Sequence, residues 1–192
     1  GSQLLEAIGG SFPENGRPLS TPLLFNLTLV GSGSNNDRSL AIYSRNGSGW
    51  LANSILLNQQ HGLSLEFKPN LEDSYSQFEA GLLQWKGNVF YDVANNDTAA
   101  IFKVYTESEG VDLEGQNARI REHFSRENNK VEDPGLIYSG GIYRLVPSGY
   151  VFTGLATYPD DWFDQGGYQG AFGTFNGASG WTLISQEGIL VD

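Results

Sequence analysis

Short segments in which apolar and polar residues alternate recur along most of this chain. Alternation over four to eight residues is typical of a β-strand with one buried face. Glycine, asparagine and proline punctuate the sequence between these segments. The pattern predicts strands over residues 23–30, 40–44, 63–68, 89–93, 100–105, 141–146, 150–157, 170–175 and 181–185.

The turns between these segments favour hairpins. Asn15-Gly16, Asn46-Gly47 and Asn176-Gly177 place residues that tolerate positive φ where tight turns need them. Strands joined by tight turns are antiparallel, and no long helical pattern alternates with the strands. The sequence therefore predicts an all-β fold, either a single antiparallel β-barrel or a two-sheet β-sandwich, with a pocket between its sheets.

One segment, residues 116–128, fits either a helix or a strand, and the strand interpretation applies to residues 118–124. Ile120 and Phe124 lie four positions apart, as on one face of a helix, but they also share one face of a strand. We favour the strand, which places Arg119, Arg121 and His123 together on the opposite face. The rest of the chain is organised as an N-terminal arm over residues 1–20 and a single β-domain over residues 21–192. Gly1-Ser2 is interpreted as the remnant of an expression tag.

Composition and charge narrow the range of partners. The net charge is −11 and the sequence pI is about 4.5, so the chain repels polyphosphates, and nucleic acid is not expected as a partner. No apolar run approaches the roughly 20 residues of a membrane-spanning helix, so membrane insertion is not expected either.

We expect a secreted protein, because the chain does not begin with Met and has a Gly-rich, aromatic texture. Three Asn-X-Ser/Thr sequons begin at Asn26, Asn46 and Asn96, and they are interpreted as glycosylation sites. About two such sequons would arise by chance in a chain of this composition, so the sequons alone add little to the prediction of secretion.

Several kinds of chemistry are excluded by what the sequence lacks. It has no Cys and only two His, so thiol catalysis is impossible, and a zinc site would need carboxylates for most of its ligands. No glycine loop matches a nucleotide-binding pattern, and no cofactor is expected. Asp160, Asp161 and Asp164 surround Trp162, where they form either a calcium site or an acidic surface loop.

A diffuse resemblance covers about the first 100 residues after the arm. The segments Phe25-Asn26-Leu27-Thr28-Leu29, Ser76-Gln77-Phe78 and Gly81-Leu82-Leu83 resemble the strands of secreted, Cys-poor β-proteins of filamentous fungi. Those proteins include cell-surface glycoproteins and cofactor-free cyclases of metabolite clusters such as hetero-Diels-Alderases. The composition is also similar to that of small secreted xylanases, but no segment matches their catalytic Glu, so glycoside hydrolysis is less favoured.

The candidate site combines hydrogen-bond donors with aromatic walls. Arg121 and His123 are the candidate catalytic residues, because they could polarise a carbonyl or move a proton. Trp85, Tyr91, Tyr143 and Trp162 are the candidate ligand-binding residues. The favoured function is binding of a small apolar or aromatic molecule, extending to cyclisation or isomerisation without a cofactor. The alternative is a lectin-like or cell-surface protein whose exposed rings stack on a glycan.

Overall fold

The computed structural model describes residues 3–33, 35, 37–149, 151–164 and 166–192. Gly1, Ser2 and Tyr150, which the sequence analysis names, lie outside the described residues. The strands are β1 Gln3–Ile8, β2 Leu23–Phe25, β3 Thr28–Gly33, β4 Ser39–Ser44, β5 Gly49–Ala52, β6 Ile55–Gln59, β7 His61–Glu66, β8 Leu83–Lys86, β9 Val89–Val93, β10 Phe102–Tyr105, β11 Lys130–Val131, β12 Ile137–Ser139 and β13 Ile142–Arg144. The helices are α1 Ser74–Glu79, α2 Thr98–Ile101, α3 Glu114–Arg126 and α4 Leu183–Gln186.

Three parallel sheets wind around one core. Sheet A has the order β1-β4-β7-β10, sheet B the order β2-β5-β8, and sheet C the order β3-β6-β9-β11. Every third strand enters the same sheet, so three consecutive strands make one coil and the coils stack into a parallel β-solenoid. Coil 1 is β1 to β3, coil 2 is β4 to β6, coil 3 is β7 to β9, and in coil 4 helix α3 lies between β10 and β11.

The predicted antiparallel barrel or sandwich is wrong. All strand pairs within sheets A, B and C are parallel, and helices occupy the connections, which makes the arrangement α/β. Asn46-Gly47 lies between β4 and β5, which enter different sheets, so the strands on either side of this turn do not pair. Asn15-Gly16 lies in the connection between β1 and β2, and Asn176-Gly177 lies in the irregular C-terminal region. Only β12 and β13 pair as an antiparallel hairpin among the described residues, around Gly140 and Gly141.

One corner repeats in all four coils with a residue in the left-handed region. Each such residue follows sheet B, or α3 in coil 4, and precedes sheet C. The backbone N–H of this residue donates to a carbonyl of the next coil in the first three coils, over distances of 3.1, 3.0 and 2.8 Å. The four positions are Asn26 (φ 55°), Asn53 (φ 48°), Gly87 (φ 62°) and Asn128 (φ 56°). Asn and Gly enter this region most readily, which explains their presence here.

The next residue at the same corner builds a buried polar ladder. Ser54, Asn88 and Asn129 occupy this position in coils 2, 3 and 4, and each side chain accepts a hydrogen bond from the backbone of the preceding coil. Ser54 Oγ accepts from Leu27, Asn88 Oδ1 from Ser54, and Asn129 Oδ1 from Asn88, at 3.0 to 3.1 Å. Backbone groups that turn inward at the corner are thereby satisfied without water.

Alternate side chains of the strands point inward and fill the solenoid. The aromatic centre of this core is Trp85, which contacts Tyr43 and Phe102 edge to face at ring distances of 5.3 and 5.2 Å. Leu40, Leu56, Leu63 and Phe90 are fully or almost fully buried around it. Burial of such side chains stabilises a fold by about 1.5–3 kcal/mol each.

The segment 118–124 is helical, so the strand that we favoured is wrong. Inward residues at positions 113, 117, 120 and 124 follow the helical spacing, and Ile120 and Phe124 are buried against coil 4. Asp112 Oδ1 accepts the N–H of Glu114, the first residue of α3, at 3.0 Å. Helix α3 occupies the place in coil 4 where sheet B would have its next strand.

The C-terminal part of the chain covers the outside of sheet C. Leu136 and Val151 pack on Ile55, Leu57 and Val89, which point outward from that sheet, and form a second apolar cluster. Beyond residue 151 the described chain is mostly irregular, and the strands predicted at 150–157, 170–175 and 181–185 are not formed. Gln3–Ile8, which lies within the predicted N-terminal arm, forms β1 in sheet A.

Candidate functional site

The two predicted catalytic residues lie on different sides of α3. Two positions on a helix are about 200° apart, so Arg121 and His123 cannot share a face. Arg121 is partly exposed and donates to Glu114 Oε1 at 2.7 Å. His123 points into the core, where its ring lies 5.1 Å from that of Phe78. The structure does not bring these two residues together.

His123 substitutes for a backbone strand at the open edge of β8. Its Nε2 lies 3.1 Å from the carbonyl oxygen of Trp85, and Arg126 Nη2 lies 3.3 Å from its Nδ1. Because an arginine can only donate, Nδ1 is the acceptor, and Nε2–H donates to Trp85. Asn129 Nδ2 donates to the same carbonyl at 2.8 Å. The imidazole thus provides a hydrogen-bond partner for the Trp85 carbonyl at the edge of β8, where sheet B has no further strand among the described residues.

The surroundings of His123 keep it neutral. Burial lowers its pKa to about 4, with the positive charge of Arg126 acting in the same direction and Glu127 opposing it. A group that is neutral at physiological pH and already committed to Trp85 and Arg126 is poorly suited to shuttle protons. Its geometry indicates a structural role.

The four predicted ligand-binding aromatics do not line a common cavity. Trp85 is completely buried in the core. Tyr91 lies on the outside of sheet C, where the nearby Asp133 carboxylate raises its pKa. Tyr143 exchanges backbone hydrogen bonds with Ile189 and Val191 near the C-terminus. Trp162 is 84% exposed on an irregular loop.

The three sequons differ in accessibility. Asn46 is completely buried, and its carboxamide bonds to Gln77 and to the carbonyl of Glu14. Asn26 donates to the carbonyl of Tyr168 at 2.6 Å and accepts from the Tyr158 hydroxyl at 2.5 Å. Asn96 is exposed and its Nδ2 has room for a substituent, although Oδ1 accepts the N–H of Asp92. Only Asn96 could carry a glycan in the folded protein without displacing these contacts.

A groove follows the outer face of sheet B. The outward side chains Trp50, Gln84 and Lys86 form its floor, since residues 50 and 84 are register partners and residue 86 is two positions beyond 84 on the same face. Lys86 Nζ lies 4.4 Å from the centroid of the Trp50 ring, which is a cation–π contact. Tryptophan, amide and ammonium groups therefore stand in one row.

Two clefts lie along this floor. The first, of about 300 Å³, is lined by Trp50, Lys86, Glu127, Asn128 and residues 155–159. The second, of about 390 Å³, lies between α1 and α3 and includes Gln84, Arg119, Glu122 and Arg126. Glu127 lies 3.1 Å from Arg126 Nε and 3.8 Å from Lys86 Nζ, which links the two clefts. We call the first cleft the sheet B groove.

One wall of the sheet B groove is held by the corner asparagines. Asn53 Oδ1 accepts the N–H of Ala156 at 2.7 Å, and Asn53 Nδ2 donates to the carbonyl of the same residue at 3.0 Å. Asn26 holds Tyr158 through its hydroxyl. The repeating left-handed corner therefore serves as a row of anchors for the segment 155–159.

An aromatic cluster, consisting of Phe25, Tyr158, Trp162 and Phe163, continues from this wall to the surface. Tyr158 stacks on Phe25 with a centroid distance of 4.7 Å and an interplanar angle of 24°. Phe163 lies 5.0 Å from Phe25, and Trp162 meets Phe163 edge to face at 5.0 Å. Trp162 is thus an exposed ring that contacts Phe163, and Phe163 in turn lies 5.9 Å from Tyr158, which lines the groove.

The sequence pattern contained a signal for this site that the sequence analysis missed. Asn26, Asn53, Gly87 and Asn128 each follow an inward-facing strand or helix end and mark the same corner. Their spacings of 27, 34 and 41 residues grow along the chain, so no fixed period exposes the repeat. The groove residues Trp50, Lys86 and Glu127 were missed because only stacking of the coils brings them together.

Among the described residues, no group of three or more His, Asp, Glu or Cys side chains is arranged to hold a metal ion. Asp160 Oδ1 accepts the backbone N–H of Trp162 at 2.9 Å. In the same part of the chain, no helix has the length and apolarity needed to cross a membrane.

Comparison with protein-family models, with curated proteins and with solved structures gives no match. The functional argument therefore depends on the chemistry of the groove.

Proposed function

We propose that this chain binds a carbohydrate along the sheet B groove, with Trp162 as its stacking platform. The observation that carries the proposal is the aromatic cluster, which joins an exposed indole to the polar groove through Tyr158. The apolar face of a sugar ring packs well on an indole, while its hydroxyls need donors and acceptors at fixed positions. Lys86, Glu127 and Asn128 offer both.

The glycan alternative is better supported than a buried pocket for a small apolar molecule. A pocket of that kind needs aromatic walls around its donors. Here Trp85 and His123 belong to the core, and Arg121 is paired with Glu114 on the surface. The groove is open and its lining is predominantly polar, which suits a ligand rich in hydroxyl groups.

Binding to an array of plant, fungal, bacterial and animal glycans tests the proposal, followed by calorimetric titration with the best oligosaccharide. We expect Trp162→Ala to weaken binding by about fivefold to 150-fold, because a ring stacked on an aromatic side chain contributes roughly 1–3 kcal/mol where nucleobases are the stacked rings. Lys86→Ala should weaken it as well, since a hydrogen-bond donor that lines the groove is lost.

The matched control is Trp181→Ala. Trp181 is 72% exposed and bonds only to the carbonyl of Gly177 in the C-terminal region, away from the groove. Its variant should bind like the wild type. Absence of binding to every glycan on the array, or equal binding by the Trp162→Ala and Trp181→Ala variants, would refute the proposal.

A further inference from the structure

Three clefts follow helix α3 in the order of its residues. A third cleft, of about 220 Å³, lies at the start of the helix, beside Gln116. The second cleft follows along its middle, and the sheet B groove lies at its end, beside Glu127. Positions 116, 119, 123 and 126 face the third and second clefts at spacings of three or four residues, so they form one stripe along the helix. We call the three clefts together the α3 trough.

Neighbouring clefts of the α3 trough share residues. Arg119 and Glu79 line both the third and the second cleft, and their salt bridge joins α3 to α1 between the two. Glu127 lines the sheet B groove and lies 3.1 Å from Arg126, which lines the second cleft. Helix α3 has 13 residues and is therefore about 20 Å long. The trough extends along this whole length.

Each cleft combines an aromatic ring with hydrogen-bonding side chains. The rings are Phe67 in the third cleft, Phe78 in the second and Trp50 in the sheet B groove, and all three are partly buried. The polar side chains beside these rings are, in the same order, Glu79 and Gln116, Gln84 and Arg126, and Lys86 and Glu127. A sugar unit presents an apolar ring face and several hydroxyls, so each cleft repeats what one sugar unit requires.

Each cleft is small for a complete ligand. The volumes of the third cleft, the second cleft and the sheet B groove are about 220, 390 and 300 Å³. Pockets that enclose a whole drug-sized molecule have volumes of roughly 300–1,000 Å³. A single cleft therefore suits a short piece of a ligand, and a row of three suits a chain of similar units.

The charges of the α3 trough balance. Among the described residues, the lining carries three cations and three carboxylates, namely Lys86, Arg119, Arg126, Glu79, Glu122 and Glu127. Each of the cations forms a salt bridge with one of these carboxylates. A carboxylated polymer would have to displace those partners while it approaches a chain of net charge −11. An uncharged polymer meets neither cost.

We propose that the α3 trough binds several consecutive units of an uncharged polysaccharide. This inference rests on the proposed carbohydrate binding and extends it from the sheet B groove to the third cleft. The units pack on the ring of each cleft, and their hydroxyls bond to the polar side chains. A guanidinium has five N–H donors, so Arg119 can bind Glu79 and a sugar hydroxyl together where the chain passes from one cleft to the next.

Calorimetric titration with uncharged oligosaccharides of glucose, xylose, mannose and galactose, from disaccharide to hexasaccharide, tests the proposal. Affinity should rise at least about tenfold along the series that binds best, because each further unit adds hydrogen bonds. Polygalacturonate and alginate, which carry carboxylates, should bind more weakly than the uncharged chain. Binding of the uncharged chain should change little with salt.

Arg119→Ala should weaken binding of the hexasaccharide by about tenfold and leave binding of the disaccharide unchanged. A disaccharide held by Trp162 and the sheet B groove does not reach Arg119. The matched control is Arg121→Ala, on the same helix about 200° away, where the arginine is paired with Glu114. This variant should bind both saccharides like the wild type. Alanine supports the helix at either position.

The possible failures of this test are distinguishable. Equal affinity for disaccharide and hexasaccharide, with Trp162→Ala still weakening both, would leave carbohydrate binding intact and overturn the extended trough. Equal losses in the Arg119→Ala and Arg121→Ala variants would overturn it as well. A preference for the carboxylated chains would overturn the assignment of an uncharged polysaccharide. If no saccharide binds, the proposed function fails together with this inference.

Discussion

At the residue scale, His123 is a side chain of a type that often takes part in catalysis, but here it is buried and its hydrogen bonds support the fold. A neutral imidazole offers one donor and one acceptor, which is what the edge of a strand also offers. Here the donor binds the Trp85 carbonyl and the acceptor binds Arg126. The ring is buried because helix α3 must close against β8 without a further strand.

The stability of the protein should depend on the protonation of His123. Its pKa is about 4 in the folded protein, against a reference value of 6.5 for an exposed histidine. The unfolded chain therefore binds this proton more tightly, so stability is lost as the pH falls from 6.5 to 4 and no further below that. This group alone accounts for a loss of about 3 kcal/mol across that window.

The His123→Gln variant isolates the effect, because its carboxamide does not titrate. Denaturant unfolding at a series of pH values should give a variant that loses about 3 kcal/mol less than the wild type between neutral pH and pH about 4. The chemical shift of the His123 ring should titrate with a midpoint near 4. Equal pH dependence of wild type and variant would contradict the burial argument.

At the scale of elements, the repeating corner is the unit that specifies each coil. A left-handed residue turns the chain from sheet B, or from α3 in coil 4, into sheet C, and the polar residue after it satisfies the inward backbone. Among the polar residues that follow the left-handed corner, Asn88 makes hydrogen bonds in both directions. Its side chain also donates to the carbonyl of Leu51 at 2.8 Å and to Asn129 Oδ1 at 2.9 Å. Loss of this side chain removes a hydrogen-bond partner from Ser54 and Leu51 in coil 2 and from Asn129 in coil 4.

We expect Asn88→Ala to lower the free energy of unfolding by about 2–4 kcal/mol, because the buried N–H of Ser54 and the carbonyl of Leu51 each lose a partner. Denaturant unfolding with an unchanged m-value measures this loss. Asn15→Ala is the control, since Asn15 is exposed and has no positive φ, and it should change stability by less than about 0.5 kcal/mol. A similar effect of both substitutions would exclude a special role for the ladder.

At the scale of the whole molecule, the C-terminal region is bound to the solenoid from outside. The Asn53 carboxamide bonds to both the N–H and the carbonyl of Ala156, and the N–H of Gly170 donates to the backbone carbonyl of Asn53 at 2.8 Å. The polar contacts of Asn26 and Asn53, together with the packing of Tyr158 and Phe163 on Phe25, position the irregular segment around residues 155–163. One wall of the groove, residues 155–159, therefore lies outside the coils and is held in place by side chains of the coils.

Asn53→Gly should loosen this wall while leaving the coils intact. Glycine keeps the left-handed backbone but removes the carboxamide that binds Ala156. Limited proteolysis and hydrogen exchange should find faster cleavage and exchange over residues 152–168, with β5 and β6 still protected. Asn128→Gly changes the same corner position one coil after Gly87, where the side chain makes no hydrogen bond to the described residues, and it should behave like the wild type in these two measurements. Faster exchange throughout coils 2 and 3 of the Asn53 variant would contradict a local role.

The sequence analysis missed β1, β5, β6 and β8. The positions of the other strands within the first 105 residues could be predicted from the sequence, and Val89–Val93 agrees at both ends. Their pairing could not, because a Gly or Asn with positive φ fits a hairpin and a solenoid corner equally well. Helix α3 was misassigned because Ile120 and Phe124 satisfy both periods, and packing on coil 4 decides between them. Trp162 was identified as a candidate from its charged and Gly-rich neighbours, and it is exposed.

The sequence by itself determined which side chains alternate, where the chain turns, and which chemistry is absent, since these follow from residue types and local spacing. The tertiary structure alone decided that the strands pair in parallel and that His123 and Trp85 belong to the core. It also decided that Trp50, Lys86, Glu127 and Tyr158 share one groove. The physical reason is that coils of unequal length stack by backbone hydrogen bonds, and this stacking joins residues that no local pattern relates.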